Sequence, residues 1–156
     1  MRRFNLHNAE FRYNDKDPDG YKSAVADVAG ALGASELATY VYELPPGQAL
    51  CAYHYEYVEE WLVVLDGSPV VRLPESEEQL EQGDVVAFPP GPEGAHNVIN
   101  RGSDTVRVLM FSSARLPGVA VYPDSDKIAV FTEGGRDDIR TFRERGDAGY
   151  WERERL

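Results

Sequence analysis

The sequence predicts an all-β domain, a sandwich or a closed barrel, and three observations carry that expectation. Short runs rich in β-branched and aromatic residues recur through the middle of the chain. Within several of them apolar and polar positions alternate, which is the period of a half-buried strand. Pro/Gly and Asp-Gly turn signals separate the runs at regular intervals, the spacing of a sandwich or barrel.

Residues 1–35 read as an N-terminal extension of mixed composition, in which Ser23–Gly33 (SAVADVAGALG) is rich in small residues and weakly helical. From Glu36 to Leu44 the run ELATYVYEL is a strand, closed by the turn Pro45-Pro46-Gly47. A second strand carries His54, and Trp61–Leu65 follows it. Asp66-Gly67 is a hairpin signal, so Pro69–Leu73 returns alongside. Glu75–Gln82 reads as a polar loop. Val85–Phe88, Asn97–Ile99 and Thr105–Phe111 supply further strands, parted by the Pro/Gly-rich stretch 89–94 and by residues 100–104. A core barrel over residues 36–115 follows. Residues 116–156 contribute final strands and a charged C-terminal arm, which reads as a solvated face or arm or, on the sharper reading that the bulky Phe142, Tyr150 and Trp151 invite, as an arm that packs on the barrel or on a partner subunit.

At 156 residues the chain suits one domain with a substantial core. A net charge of −11, from 27 acidic and 16 basic residues, opposes phosphate-backbone binding, so nucleic acid is not an expected partner. No run has the length of a signal h-region or a membrane span, and a soluble, cytoplasmic protein without a membrane partner is expected. The single cysteine, Cys51, rules out an internal disulfide and leaves stability to packing and metal.

His54, Glu56 and Glu60 stand at i, i+2 and i+6, so on an extended strand all three point to one face. His96 follows the Pro/Gly-rich turn and supplies a fourth donor from a neighbouring strand. His7 lies outside this pattern, and Glu59 faces away from it by parity. Cys51, of opposite parity to His54, reads as a small strand hydrophobe. Tyr40, Tyr42, Trp61, Phe88 and Met110 belong to core or interface, and Asn100 secures a strand end by hydrogen bonding. Gly47, Gly67, Gly83 and Gly91 mark turns.

These residues resemble the two motifs of the cupin superfamily. The first motif runs Gly, a short gap, His-x-His, Glu and Gly; here it is met by Gly47, His54, Glu56, Glu60 and Gly67, with the gap after Gly47 one residue longer than usual. The second is met by Gly83, Pro89, Gly91, His96 and Asn100, with the interval from glycine to histidine two residues longer. Tyr122-Pro123-Asp124-Ser125-Asp126-Lys127 and the Arg-Gly-Asp and Tyr-Trp elements of the tail are similar to a group of small single-domain cupins of largely unassigned function.

The resemblance implies a double-stranded β-helix, the jelly-roll barrel of the superfamily, assembled as a homodimer. It also implies a divalent metal in the barrel interior, held by His54, Glu56, Glu60 and His96, with Glu56 in the place of the second motif histidine. Two histidines and two carboxylates suit Mn, Fe(II), Ni or Zn. The added carboxylate charge weakens the metal as a Lewis acid. A second arrangement stays open, in which His54, Glu60 and His96 bind the metal and Glu56 is the catalytic general base. The expected partner is a small oxygen-rich or anionic organic molecule. Dioxygenase or decarboxylase action on a chelating substrate and sugar isomerisation or epimerisation are the reactions implied. From another class comes a non-catalytic small-molecule-binding or sensor cupin with a structural metal or none.

Overall fold

A computed structural model describes residues 1–132 and, as backbone, residues 135–142. Thirteen strands are assigned: β1 (Arg12–Tyr13), β2 (Ala24–Asp27), β3 (Leu37–Leu44), β4 (Tyr55–Glu56), β5 (Glu60–Asp66), β6 (Val70–Arg72), β7 (Glu77–Gln79), β8 (Val85–Phe88), β9 (Asn97–Ile99), β10 (Val106–Ser113), β11 (Gly118–Tyr122), β12 (Lys127–Thr132) and β13 (Gly135–Phe142). One short helix, α1 (Val28–Leu32), follows β2 directly. The strands form antiparallel sheets of order β1-β2-β3-β10-β5-β8, β13-β12-β11-β4 and β7-β6-β9, the architecture of a double-stranded β-helix.

Alternation explains the core. Leu62 and Val64 of β5 and Val106, Val108 and Met110 of β10 turn inward, where they meet Leu44, Val71, Phe88 and Val98 in one buried cluster. Asn100, fully buried, closes the end of β9: its Nδ2 donates to the carbonyls of Leu44 and Asp104, both at 2.8 Å, and its Oδ1 accepts from the Gly102 amide at 2.9 Å. The strand-end role expected of Asn100 is thus met. Gly67 follows β5 with φ of +79°, and a Cβ there would stand 2.9 Å from Val106 Cγ2, so the turn admits glycine alone.

Three expectations need correction. The stretch Ser23–Gly33 is divided: β2 pairs with β3 from Ala24 to Asp27, and only then does Asp27 cap α1 by accepting from the Gly30 amide. The extension is therefore woven into the large sheet. The loop 75–82 contains the exposed strand β7, paired with β6. His54, Glu56 and Glu60 do not share one strand. The chain turns a corner at residues 57–59, so β4 pairs with β11 in one sheet and β5 with β10 and β8 in another. At the C-terminus β13 pairs with β12, while the arm anchors Tyr150 and Trp151 lie outside the described residues. Among the described residues no helix is long and apolar enough to cross a membrane.

Candidate metal centre

The site begins with a backbone bridge. His54 and His96 exchange N–H to carbonyl hydrogen bonds of 3.1 and 2.8 Å, which sets their rings side by side with centroids 4.9 Å apart. The turn before His96 is tied in as well, because the Gly91 amide (φ of +90°) donates to the Glu56 carbonyl at 2.7 Å. Glu60 enters from the first position of β5. Its Oε2 lies 3.7 Å from His54 Nε2 and 3.9 Å from His96 Nε2. One ligand atom from each of His54, Glu60 and His96 falls within 4.8 Å of the others.

The tautomers follow from the partners. His54 Nδ1 lies 3.1 Å from the Ala52 carbonyl and His96 Nδ1 lies 2.9 Å from the Gly94 carbonyl. A carbonyl oxygen only accepts, so each Nδ1 carries the proton and each Nε2 presents a lone pair. This is the way metal-ligating histidines are oriented, with the far ring N–H anchored on a backbone oxygen. His96 Nε2 is buried and has no hydrogen-bond partner among the described residues. Two imidazole lone pairs and one carboxyl group thus converge, and neither ring presents a donor to the others.

Burial shapes the charges. It pushes the Glu60 carboxyl up to about 8, helped by the neighbouring Glu56 charge, and it raises Glu56 as well. It pushes His96 down to about 3, with the His54 charge adding to the effect, and lowers His54 against two backbone hydrogen bonds. At neutral pH both imidazoles are therefore uncharged and available. Two neutral imidazoles and a carboxyl group within 4.8 Å of one another form a donor set that a borderline, N/O-preferring divalent ion fits.

The four residues expected to act together are not placed alike. His54, Glu60 and His96 meet. Glu56 stands outside that trio, on β4 opposite Ala120 of β11, yet near enough for its charge to act on Glu60. Glu59 is exposed and accepts a 2.6 Å hydrogen bond from Trp61 Nε1, as its parity implied, and His7 is exposed in a 3-10 turn. Cys51 is not a strand residue: it lies in a bend with Sγ 3.4 Å from His54 Nδ1.

Two aromatic walls flank the imidazoles. Phe88 stacks on His96 at 3.6 Å and 6°, and Tyr122 lies against His54 at 5.8 Å and 24°. Sequence reasoning placed Phe88 in the core and gave Tyr122 no role in the site. Tyr122 reaches it through β11–β4 pairing, which no local spacing announces.

The Cupin domain family matches residues 40–112, which contain the whole trio. The tetracenomycin polyketide synthase protein TcmJ of Streptomyces glaucescens is 30% identical over 95 residues, 61% of this chain. That alignment spans only 58% of the relative's length. A sugar phosphate isomerase from Silicibacter pomeroyi DSS-3 superposes with a TM-score of 0.76 at 24% identity, covering 92% of each chain. A proposed sugar phosphate isomerase from Acidithiobacillus ferrooxidans ATCC 23270 superposes with a TM-score of 0.71 at 26% identity, covering 88% of this chain and 90% of that one.

Proposed function

The chain belongs to the cupin superfamily, and on that premise we propose that His54, Glu60 and His96 hold one divalent transition metal (Mn, Fe, Ni or Zn) and that the site isomerises or epimerises a small oxygen-rich ligand of the sugar phosphate class. The observation that carries the metal is the convergence of three acceptors around the unpartnered Nε2 of His96. When bound, such an ion polarises a ligand oxygen and stabilises the charge developing there. The rest falls to the protein. The Nδ1–H bonds of His54 and His96 to backbone carbonyls keep both rings aimed. Glu56, with its proton affinity raised by burial, takes the proton from a carbon beside a carbonyl and returns it to the neighbouring carbon, or to the opposite face of the same one. Phe88 and Tyr122 exclude water on two sides.

Redox-neutral proton transfer is favoured here by the paired carboxylates, and the likeness to a proposed sugar phosphate isomerase at 26% identity supports the substrate class. A second reading draws on the same aromatic walls: two rings flanking the site suit a planar polycyclic ligand, and TcmJ is a polyketide synthase protein. The acidic composition suits a cytoplasmic protein, and the outer face of the six-stranded sheet, where Trp61 stacks on Phe111 and Val85 is exposed, suits a homodimer contact.

Elemental analysis of untagged protein tests the metal. Wild type and Glu59→Ala carry one ion per chain; His54→Ala, Glu60→Ala and His96→Ala lose it. Metal retained in Glu60→Ala but lost in Glu59→Ala refutes the trio. Incubation of the metal-loaded protein with aldose and ketose phosphates in deuterated water then tests the reaction, by deuterium incorporation at the carbon next to the carbonyl. Incorporation with planar polyketides alone favours the second reading.

A further inference from the structure

The four-stranded sheet presents a second set of residues to the metal centre. In the β11–β12 register Tyr122 stands opposite Lys127 and Ala120 opposite Ala129, and in the β11–β4 register Ala120 stands opposite Glu56. Directly opposed residues share a face, as do residues two apart on one strand. Glu56, Ala120, Tyr122 and Lys127 therefore lie on the same face. The Tyr122 ring lies against His54, so that face looks toward the trio.

Lys127 Nζ sits 4.4 Å from the centroid of the same ring. The step from the His54 ring to the Tyr122 ring is 5.8 Å. The ammonium accordingly lies within about 10 Å of His54, a cation–π neighbour of the site's own wall. Three arginines are engaged by acids: Arg72 by Asp124, Arg101 by Glu77 and Arg107 by Glu43. Lys127 has no carboxylate within ion-pairing distance among the described residues. Among the described residues this lysine carries its charge over an aromatic ring of a carboxylate-rich centre, in a chain of net charge −11, and an anionic group of a ligand suits that position.

The support is built as well. Between Tyr122 and Lys127 runs the turn Pro123–Ser125, in which Asp124 accepts from both terminal nitrogens of Arg72, at 2.5 and 3.0 Å. Arg72 itself lies 3.9 Å over the Tyr53 ring. This bidentate clamp joins β6 to the β11–β12 hairpin and holds the two residues in register with the centre.

We propose that Tyr122 and Lys127 form the specificity subsite for the far end of the ligand, Tyr122 as the floor under its carbon chain and Lys127 as the cation that binds its phosphate monoester. This rests on the reading that the carbonyl end of the ligand sits at His54, Glu60 and His96. The bound of about 10 Å between the His54 ring and the ammonium is within the reach of an extended pentose monophosphate.

Equilibrium titration of the Zn(II)-loaded protein with D-ribose 5-phosphate and with D-ribose tests the subsite. Wild type binds the phosphorylated probe at least about tenfold more tightly, with a preference that shrinks as NaCl is added. Lys127→Gln brings the two affinities within about twofold without changing the affinity for ribose, and Lys127→Arg retains most of the preference. Unchanged zinc stoichiometry in Lys127→Gln shows that the centre is intact. The proposal is overturned if wild type shows no preference, or if Lys127→Gln keeps it. The underlying reading fails separately: zinc retained at one per chain by His96→Ala removes the metal assignment, and a phosphate preference with no deuterium incorporation into the phosphorylated sugar leaves the subsite standing and removes the isomerase.

Discussion

Metal binding at this site should be proton-linked in one direction over a defined window. Burial and the Glu56 charge raise Glu60 to about 8, whereas burial takes His96 down to about 3 and lowers His54 below its ordinary value, so that neither ring competes for protons at pH 7. An ion entering at pH 7 must therefore displace one proton, from Glu60. At pH 6 about one Glu60 in a hundred is ionised, so apparent affinity should lie about a hundredfold below its alkaline limit and climb nearly tenfold per unit. Above pH 8 it should level off. Competition with a chromophoric chelator calibrated at each pH reads the affinity, and calorimetry in buffers of different ionisation enthalpy counts the proton. Glu56→Gln removes the like charge that helps hold Glu60 protonated, so the rise should shift to lower pH. A flat affinity from pH 6 to 8, or a release of no protons, refutes both the ligand assignment and the buried state of Glu60.

The metal-free protein should show the complementary stability profile. Glu60, raised above its unfolded value of 4.5, contributes stability that is complete below pH 4.5 and lost as pH rises through about 8; His96, depressed below 6.5, contributes stability present above pH 6.5 and lost as pH falls toward about 3. Thermal melts after chelation should give a plateau between these limits with a fall on either side, and added metal should abolish the alkaline fall; a single acidic fall would contradict the Glu60 shift. Asn100→Ala strips a partner from the buried Leu44 carbonyl and another from the part-buried Asp104 carbonyl and should cost about 2 kcal/mol in denaturant unfolding. If Glu56 is a base and not a ligand, Glu56→Gln keeps one metal per chain and loses deuterium exchange; loss of the metal makes it a ligand. Trp61→Asp should reduce the species seen by light scattering from a dimer to the 17.4 kDa monomer, and an unchanged mass removes that face as the contact.

What was legible in the sequence followed from local rules. Alternation located β3, β5, β8 and β10 because each has one face in the core, and side-chain period enforces that pattern. Turn glycines were legible because positive φ selects them, as at Gly67 and Gly91. His54, Glu60 and His96 stood out by motif spacing. The reason offered for their convergence was wrong, since parity along one strand cannot carry Glu60 around the corner at residues 57–59. β7 stayed hidden because all three of its residues are exposed and polar, so its pairing with β6 leaves no apolar trace. Tyr122 stayed hidden because its partner His54 is far away in sequence and meets it through sheet pairing.

The corner is also what makes the site more than a motif. Glu60 belongs to the six-stranded sheet, Glu56 and Tyr122 to the four-stranded sheet, and His96 immediately precedes β9 of the three-stranded one. Each sheet contributes a donor or a wall, and the reciprocal backbone bonds of His54 and His96 join them. Donor spacing therefore reports how the sheets are packed, and an ion bound by the trio cross-links separate strands of the barrel. Burying an ionisable carboxylate beside another and two neutral imidazoles is unfavourable on its own terms. A divalent ion held by the same three side chains would offset that cost by coordination once the Glu60 proton has left.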